Sequence, residues 1–471
     1  MYFEQFYLTC LAHASYMIGS EGEAAVVDPQ RDVDIYLKTA EEQNLKIRHI
    51  FETHLHADFV SGHKELASRT GATIYMGAQA HAGFPHVLLT DGFEVKVGAV
   101  RIRALETPGH TPESVCLVLT DVMTDEKSAQ PAAVLTGDTL FIGDVGRPDL
   151  SHAHTPQQLA GLLYDSLHEK LMALPDEVKV YPAHGAGSLC GRAMRAERSS
   201  TIGTERLTNY ALQIPSREKF IAQLTTNLPT RPEYFLEDAE INRSGAATLT
   251  DLPPLPRLSP VELQSLLLHS PKPNVLDVRP GDEFAAGHIP GAINIALSGQ
   301  FASWAGGILG IHSNPVLIAD SDAQVDEARL RLARVGIEDV RGYLAGGIAA
   351  WQNADLPVVK TAQISAPELD QKIRSGIFRA TDILDVRREG EWQAGHIPEV
   401  QCSALDSFSQ RLPAADRERP VAVHCKSGYR SIIACSLLQR AGYSNVVNVA
   451  GGFDAWHAAE LPEIAEQLAK A

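Results

Sequence analysis

The segment His54-Leu-His56-Ala-Asp58 sets three ligand-type side chains at alternate positions. Alternate residues of an extended stretch point the same way, so the three can converge. His110, Asp138 and His184 come later, each just after an apolar run. Imidazole and carboxylate are suitable ligands for zinc or iron. Other chemistry sits further along. Cys425 closes the run Val421-Ala-Val-His424 and precedes Lys426-Ser-Gly-Tyr-Arg430-Ser431. A loop between strand end and helix start turns backbone N–H groups toward the sulfur. The helix dipole, Lys426 and Arg430 then favour a thiolate. The same cradle stabilises a persulfide anion.

These residues need rigid supports. Ala24–Val27, Ile47–Glu52, Val100–Glu106, Val134–Thr136 and Val178–Tyr181 each read as a strand that stops at a polar, ligand-type residue. A site assembled from strand ends and loops over a sheet is the expected result. The remaining histidines of this half, such as His81, His86, His152, His154 and His168, read as ordinary surface or core residues. His63 lies near the cluster but out of register with it.

The stretch from Leu252 to Pro260 holds four prolines and reads as a linker. The chain beyond this linker is a tandem repeat. Val275-Leu-Asp-Val-Arg279 returns as Ile383-Leu-Asp-Val-Arg387, and Gly287-His-Ile-Pro290 as Gly395-His-Ile-Pro398, both 108 residues later. Gly346-Gly347…Trp351 returns as Gly451-Gly452…Trp456 after 105 residues. Short apolar strands alternate with helical stretches in each copy, which predicts parallel α/β sheets. The expected domains are 1–250, 258–360 and 364–465.

Composition narrows the partners. The chain has 471 residues, 41 Lys+Arg against 58 Asp+Glu, and a net charge of −17. That balance argues against a nucleic-acid-binding surface and against docking on anionic lipid. Neither a transmembrane run nor a signal peptide is evident. Six cysteines without a CxxC pair suit a reducing, cytoplasmic setting.

Thr53-His54-Leu-His56-Ala-Asp58, Thr107-Pro-Gly-His110, Gly137-Asp138 and Tyr181-Pro-Ala-His184 together resemble the metallo-β-lactamase superfamily. The resemblance implies an αββα sandwich with a metal at one edge of its two sheets. Its dinuclear hydrolases carry a histidine directly after the motif aspartate, and here that position is Phe59. A second metal would be left with Asp58 and His184 and little else. His54, His110 and Asp138 remain, the two-histidine, one-carboxylate set of non-haem Fe(II) oxygenases. Within the superfamily that set resembles the persulfide dioxygenases, as does Gly143-Asp-Val-Gly-Arg147-Pro-Asp149. The resemblance implies one Fe(II) on the N-terminal domain, Arg147 against the anionic part of a thiol substrate, and supporting roles for His56, Asp58 and His184. The tyrosine that binds glutathione in some relatives is replaced by Gly185-Ala-Gly-Ser188-Leu-Cys190. Glutathione, coenzyme A and other carrier thiols therefore stay open. Cys190 reads either as a pocket residue or as an inert buried one.

Leu384-Asp-Val-Arg387, Gly395-His-Ile-Pro398, the six-residue loop Cys425–Arg430 and Gly451-Gly452…Trp456 resemble a rhodanese domain. The C-x4-R loop by itself would also suit a phosphatase; the flanking motifs favour sulfur transfer. The family's chemistry assigns catalysis to Cys425, Lys426 and Arg430, with Asp385 and Arg387 holding the fold. In the first copy Asp320 stands in the cysteine's place and Val325 in the arginine's. Two nearby carboxylates, Asp320 and Asp322, would repel the anion, so this copy reads as an inactive scaffold.

The expectation is a bifunctional enzyme of sulfide detoxification. It oxidises a small thiol persulfide with O2 to sulfite, and it transfers sulfane sulfur through Cys425, making or using thiosulfate. A homo-oligomer, dimer or tetramer, suits the acidic modular chain. The alternative is a dinuclear-zinc thioester hydrolase of the glyoxalase II type with a sulfurtransferase domain. A third reading is a metal-free sulfur-carrier protein.

Overall fold

The computed structural model describes residues 1–122, 130–151, 153–226, 228, 230–408, 410–413 and 417–465. His152 lies outside them. The described residues form two compact units. The first is Met1–Leu252 with Ala333–Gly336, and the second is Pro253–Leu332 with Ile337–Ala471.

The first unit is an αββα sandwich. One sheet runs in sequence order: β1 (Tyr2–Leu8), β2 (His13–Ser20), β3 (Glu23–Val27), β4 (Lys46–Phe51), β5 (Thr73–Gly77) and β6 (Val87–Leu89). The other comprises β7 (Glu94–Val97), β8 (Val100–Glu106), β9 (Val115–Asp121), β10 (Ala133–Gly137), β11 (Lys179–Pro182) and β12 (Ser200–Thr201), in spatial order from β12 to β7. Strand alternation builds the layers. Ala14, Tyr16, Ile18, Ala25 and Val27 meet Val115, Leu117 and Leu119 between the sheets. Met17, Ala24 and Val26 point the other way, onto Tyr36 and Ala40 of helix Asp34–Glu42 and Leu66 of helix His63–Thr70. Cys116 and Val118 face Ala160 and Leu163 of helix Pro156–Asp165. Thr155 and Gln158 close that helix's capping box, with Pro156 in the first turn.

The second unit holds two parallel sheets. The first contains β13 (Arg257–Leu258), β14 (Val275–Asp277), β15 (Ile293–Asn294), β16 (Val316–Ile318) and β17 (Gly342–Leu344), in the order β13-β17-β16-β14-β15. The second contains β18 (Ala362–Ile364), β19 (Ile383–Asp385), β20 (Val421–His424) and β21 (Val446–Val449), in the order β18-β21-β20-β19. The proline-rich stretch gives way to structure before it ends. Arg257–Leu258 pairs with β17, and Pro260 starts helix Pro260–Leu268 behind a Ser259/Glu262 capping box. Proline is tolerated there because a first-turn N–H has no helical partner. The second copy repeats the device with Ser365 and Glu368. Asp277–Arg279 and Asp385–Arg387 are buried ion pairs, each 2.6 Å at the shortest. Each arginine also donates to a glycine carbonyl, Gly287 or Gly395. These pairs pin the chain after the strand, a structural role.

Among the described residues, no helix is long and apolar enough to cross a membrane.

Candidate metal centre and cysteine loop

β4 ends at Phe51, and the chain turns through Glu52 and Thr53 into His54. His54, His110 and Asp138 are buried, and one ligand atom from each lies within 4.8 Å of the others. His110 Nε2 is 3.4 Å and His54 Nε2 is 3.8 Å from Asp138 Oδ2. Both Nε2 atoms are buried without a hydrogen-bond partner. Their Nδ1 atoms are engaged. His110 Nδ1 donates to the Arg147 carbonyl at 2.9 Å. The Thr53 hydroxyl donates to Asp28 Oδ2 at 2.9 Å and so receives the proton of His54 Nδ1 at 3.0 Å. Each imidazole is thus fixed as the tautomer whose Nε2 lone pair points into the site, as a metal ligand requires. Burial, foremost, lowers the pKa of both histidines. Asp138 is held well below the usual carboxylate range, because the surrounding histidines outweigh its burial. Neutral imidazoles and an ionised carboxylate are the forms that bind a divalent cation. The donor set fits a metal.

The loops are locked from outside. Asn242, on helix Tyr234–Ser244, donates to the carbonyls of His56 and Phe59, both at 2.7 Å, and accepts from Ser61 N–H. Glu113 accepts from Leu55 N–H. Gly146 must lack a side chain, since a Cβ would fall 2.1 Å from the Asp138 carbonyl and 2.8 Å from His110 Nδ1. Asp144 holds Arg192 and Ala193 N–H groups, which fastens the segment after Asp138.

The other predicted residues surround the triad. His56 turns away, its Nε2 3.2 Å from Asp28 and 3.5 Å from Glu52. His184 lies between two carboxylates, Nε2 to Asp58 at 2.9 Å and Nδ1 to Asp138 at 2.8 Å. Burial opposes its charge, but Asp138 and Asp58 raise its pKa well above the ordinary value. Cys190 joins Asp58 and His184 in a second buried ligand group. The pair expected to stand nearly alone therefore has a third neighbour. The Cys190 thiol is pushed well up by burial and then by Asp58 and Asp138. Phe59 is fully buried against His13, ring centroids 4.1 Å apart, and against His56 at 4.4 Å. Arg147 is buried near the site, but its guanidinium pairs with Asp149 at 2.6 Å and 2.8 Å and donates to the Leu189 carbonyl. Its backbone carbonyl is in contact with a triad residue, His110. His63 faces Glu52.

Sequence reasoning missed His13, Asn242 and Glu113. His13 is fully buried and forms a β-bridge with His184. Its place on β2, two strands from β4, left no motif to flag it. Asn242 is 186 residues from His56.

In the last domain Cys425 follows β20, and helix Tyr429–Arg440 begins after the loop. Gly428, with φ of 114°, donates its N–H to Cys425 Sγ at 3.1 Å. Ser431 Oγ lies 3.7 Å from the sulfur. Arg430 is within the loop's reach but is clasped by Glu391, Nη1 and Nη2 to its two oxygens at 2.6 and 2.7 Å. Lys426 is exposed. Cys435 is buried inside the helix, and Cys402 has its thiol pushed up to about 12, chiefly by burial. In the first copy a Cβ on Gly347 would fall on the Ala319 carbonyl, as one on Gly452 would on that of Cys425. Strand register agrees, since Asp277 pairs with Ile318 as Asp385 pairs with His424, so Ala319 occupies the cysteine's position and Asp320, expected there from the sequence, stands one residue on, in the place of Lys426.

The metallo-β-lactamase superfamily model matches residues 8–184, and the rhodanese-like domain model matches 259–354 and 365–459. A mitochondrial persulfide dioxygenase of Bos taurus is 30% identical over 227 residues, which is 46% of this chain and 77% of the relative. A hydroxyacylglutathione hydrolase of Methylococcus capsulatus is 34% identical over 224 residues, 47% of this chain and 80% of the relative. A crystal structure described as a metallo-β-lactamase from Staphylococcus aureus is 33% identical, with a TM-score of 0.64, and the match covers 73% of this chain and 98% of that one.

Proposed function

We propose, for a chain that belongs to the metallo-β-lactamase superfamily and carries two rhodanese-like domains behind it, the joint activities of a persulfide dioxygenase and a sulfurtransferase. The first reaction is R–S–SH + O2 + H2O → R–SH + SO3²⁻ + 2 H⁺. His54, His110 and Asp138 would hold one Fe(II). Bound there, it would supply adjacent open positions for substrate and O2 and the electrons that O2 activation needs. The observation that carries the reading is the pair of orphaned Nε2 atoms converging on Asp138 while Phe59 stands where a further ligand would be needed.

The chain's own groups then have distinct tasks. Thr53 and the Arg147 carbonyl keep His54 and His110 aimed. His184, between Asp58 and Asp138, holds a proton at the wall of the site and can pass it to the departing thiolate. Phe59 and His13 close the side behind them to water. Arg147 would meet an anionic substrate group only by sharing its guanidinium with Asp149.

The second reaction uses Cys425, aided by the Gly428 N–H, Lys426 and Arg430, to accept a sulfane sulfur as Cys–S–SH and pass it on, with sulfite and thiosulfate as partners. The first copy would not take part.

A second reading has a specific observation in its favour. Asp58, His184 and Cys190 form another buried ligand group, which suits a dinuclear-zinc thioester hydrolase. An oxygen electrode separates the two. O2 uptake on glutathione persulfide with sulfite release supports the dioxygenase. Hydrolysis of S-lactoylglutathione without O2 uptake overturns it.

A further inference from the structure

We propose that Glu391 sets the donor specificity of the Cys425 site, favouring an organic persulfide over thiosulfate. The proposal rests on the sulfurtransferase reading and deepens it. Cys425 opens on a cavity of about 380 Å³, far roomier than a small sulfur oxyanion requires. Arg388, Glu391 and Arg430 line it from the catalytic copy, and Gln300 and Trp304 from the silent one. The silent copy therefore supplies part of the wall. Tyr429, beside the cysteine, is fastened to that copy by a hydrogen bond from its hydroxyl to the Ala296 carbonyl at 2.9 Å.

The charges in this wall are already paired. Both oxygens of Glu391 bind Arg430, and a bidentate carboxylate covers the donors that an oxyanion would otherwise use. Arg388, the other cation of the wall, lies 3.3 Å from Asp406 through its Nε. Two arginines face two carboxylates, so the wall itself adds no cationic excess, and the exposed Lys426 of the loop only partly offsets the sulfur's own negative charge. A thiosulfate dianion approaching the Cys425 thiolate is repelled. An organic persulfide brings the same sulfane sulfur on a terminal S–H, with its tail in the roomy part beside Trp304.

Glu391 is fixed for this task. Its Oε2 also accepts the Arg388 N–H at 3.1 Å, which anchors it at the start of helix Glu389–Gln393. The equivalent residue of the silent copy, Glu283, has the Asp320 carboxylate beside it where Glu391 has the Arg430 guanidinium. The clasp accompanies the cysteine.

Both donor steps balance without an oxidant. With a persulfide, Cys–S⁻ attacks the terminal sulfur, the S–S bond breaks with its electron pair leaving on the inner sulfur, and Cys–S–SH and R–S⁻ result. With thiosulfate, the S–S bond breaks and Cys–S–S⁻ and sulfite result. The test is single-turnover loading of Cys425 in the full chain, read by mass spectrometry, with glutathione persulfide and with thiosulfate. Glu391→Gln keeps the side chain's size and an oxygen for Arg388 N–H. It should raise the thiosulfate-to-persulfide ratio of loading rate constants about tenfold. An unchanged or reduced ratio overturns the assignment. Ionic strength gives a check on the unmutated chain: salt should speed thiosulfate loading relative to persulfide loading, and a relative slowing overturns the repulsion. If neither donor loads Cys425 at all, the sulfurtransferase reading itself fails.

Discussion

The carbonyl of Arg147 accepts a hydrogen bond from His110 Nδ1 at 2.9 Å, so Arg147 reaches the metal centre through its backbone. Its side chain is committed to Asp149. Arg147→Ala keeps the carbonyl. It should retain the metal, while KM for the persulfide rises about tenfold if the guanidinium is shared with substrate. Metal analysis beside oxygen-electrode kinetics checks this. A metal-free variant would show that the side chain, through Asp149, holds the whole loop.

Thr53 links Asp28 to His54 and fixes the tautomer of the latter. Thr53→Val keeps the shape and deletes the hydroxyl. Metal affinity should fall by about 10–100-fold, the usual consequence of losing a partner behind a ligand. Competition with a chelator measures it. Affinity equal to the parent's would mean that His54 needs no such orientation.

Cys425→Ser should abolish sulfur transfer and leave O2 consumption on a small persulfide largely intact, because the residues proposed for the dioxygenase all lie before residue 185. Parallel assays on one preparation decide it. Loss of O2 uptake would show that the two reactions depend on each other.

Asp382 offers a pH test of the last domain's stability. Hydrogen bonds from Arg379, then from Arg419, overcome partial burial and hold its carboxyl well below the usual range. A depressed carboxylate pKa stabilises the fold above the unfolded value of about 3.9, and that stabilisation is lost as pH falls through the folded value. Arg379 and Arg419 are 57% and 35% exposed, so screening limits the gain. Asp382→Asn should cost about 1 kcal/mol near neutral pH, with the difference shrinking below about pH 4. Denaturant unfolding at the two pH values reads it, and a pH-independent difference would contradict the charge argument.

The architecture was legible because patterning and motif agreed. Apolar runs ending at His54, His110, Asp138 and His184 mark strands whose ends share one edge, and the 108-residue repeat marks the duplicated domains. Contacts across long sequence distances were not legible. Asn242 grips the metal loop from a helix whose own sequence shows only its apolar face. Cys190 reaches Asp58 through a loop of small residues with no periodicity. Nor does the sequence reveal that Asp149, two residues on, folds back to pair with Arg147. Glu391 carried no signal beyond an ordinary helix-start acid.

Metal content and O2 uptake, measured on one anaerobically purified sample, test the central claim most directly. About one iron per chain at His54, His110 and Asp138 is the expected result, with O2 consumed and sulfite released in equal amounts on a small persulfide. About two zincs per chain, thioester hydrolysis and no O2 uptake would contradict it and assign Asp58, His184 and Cys190 to a second metal.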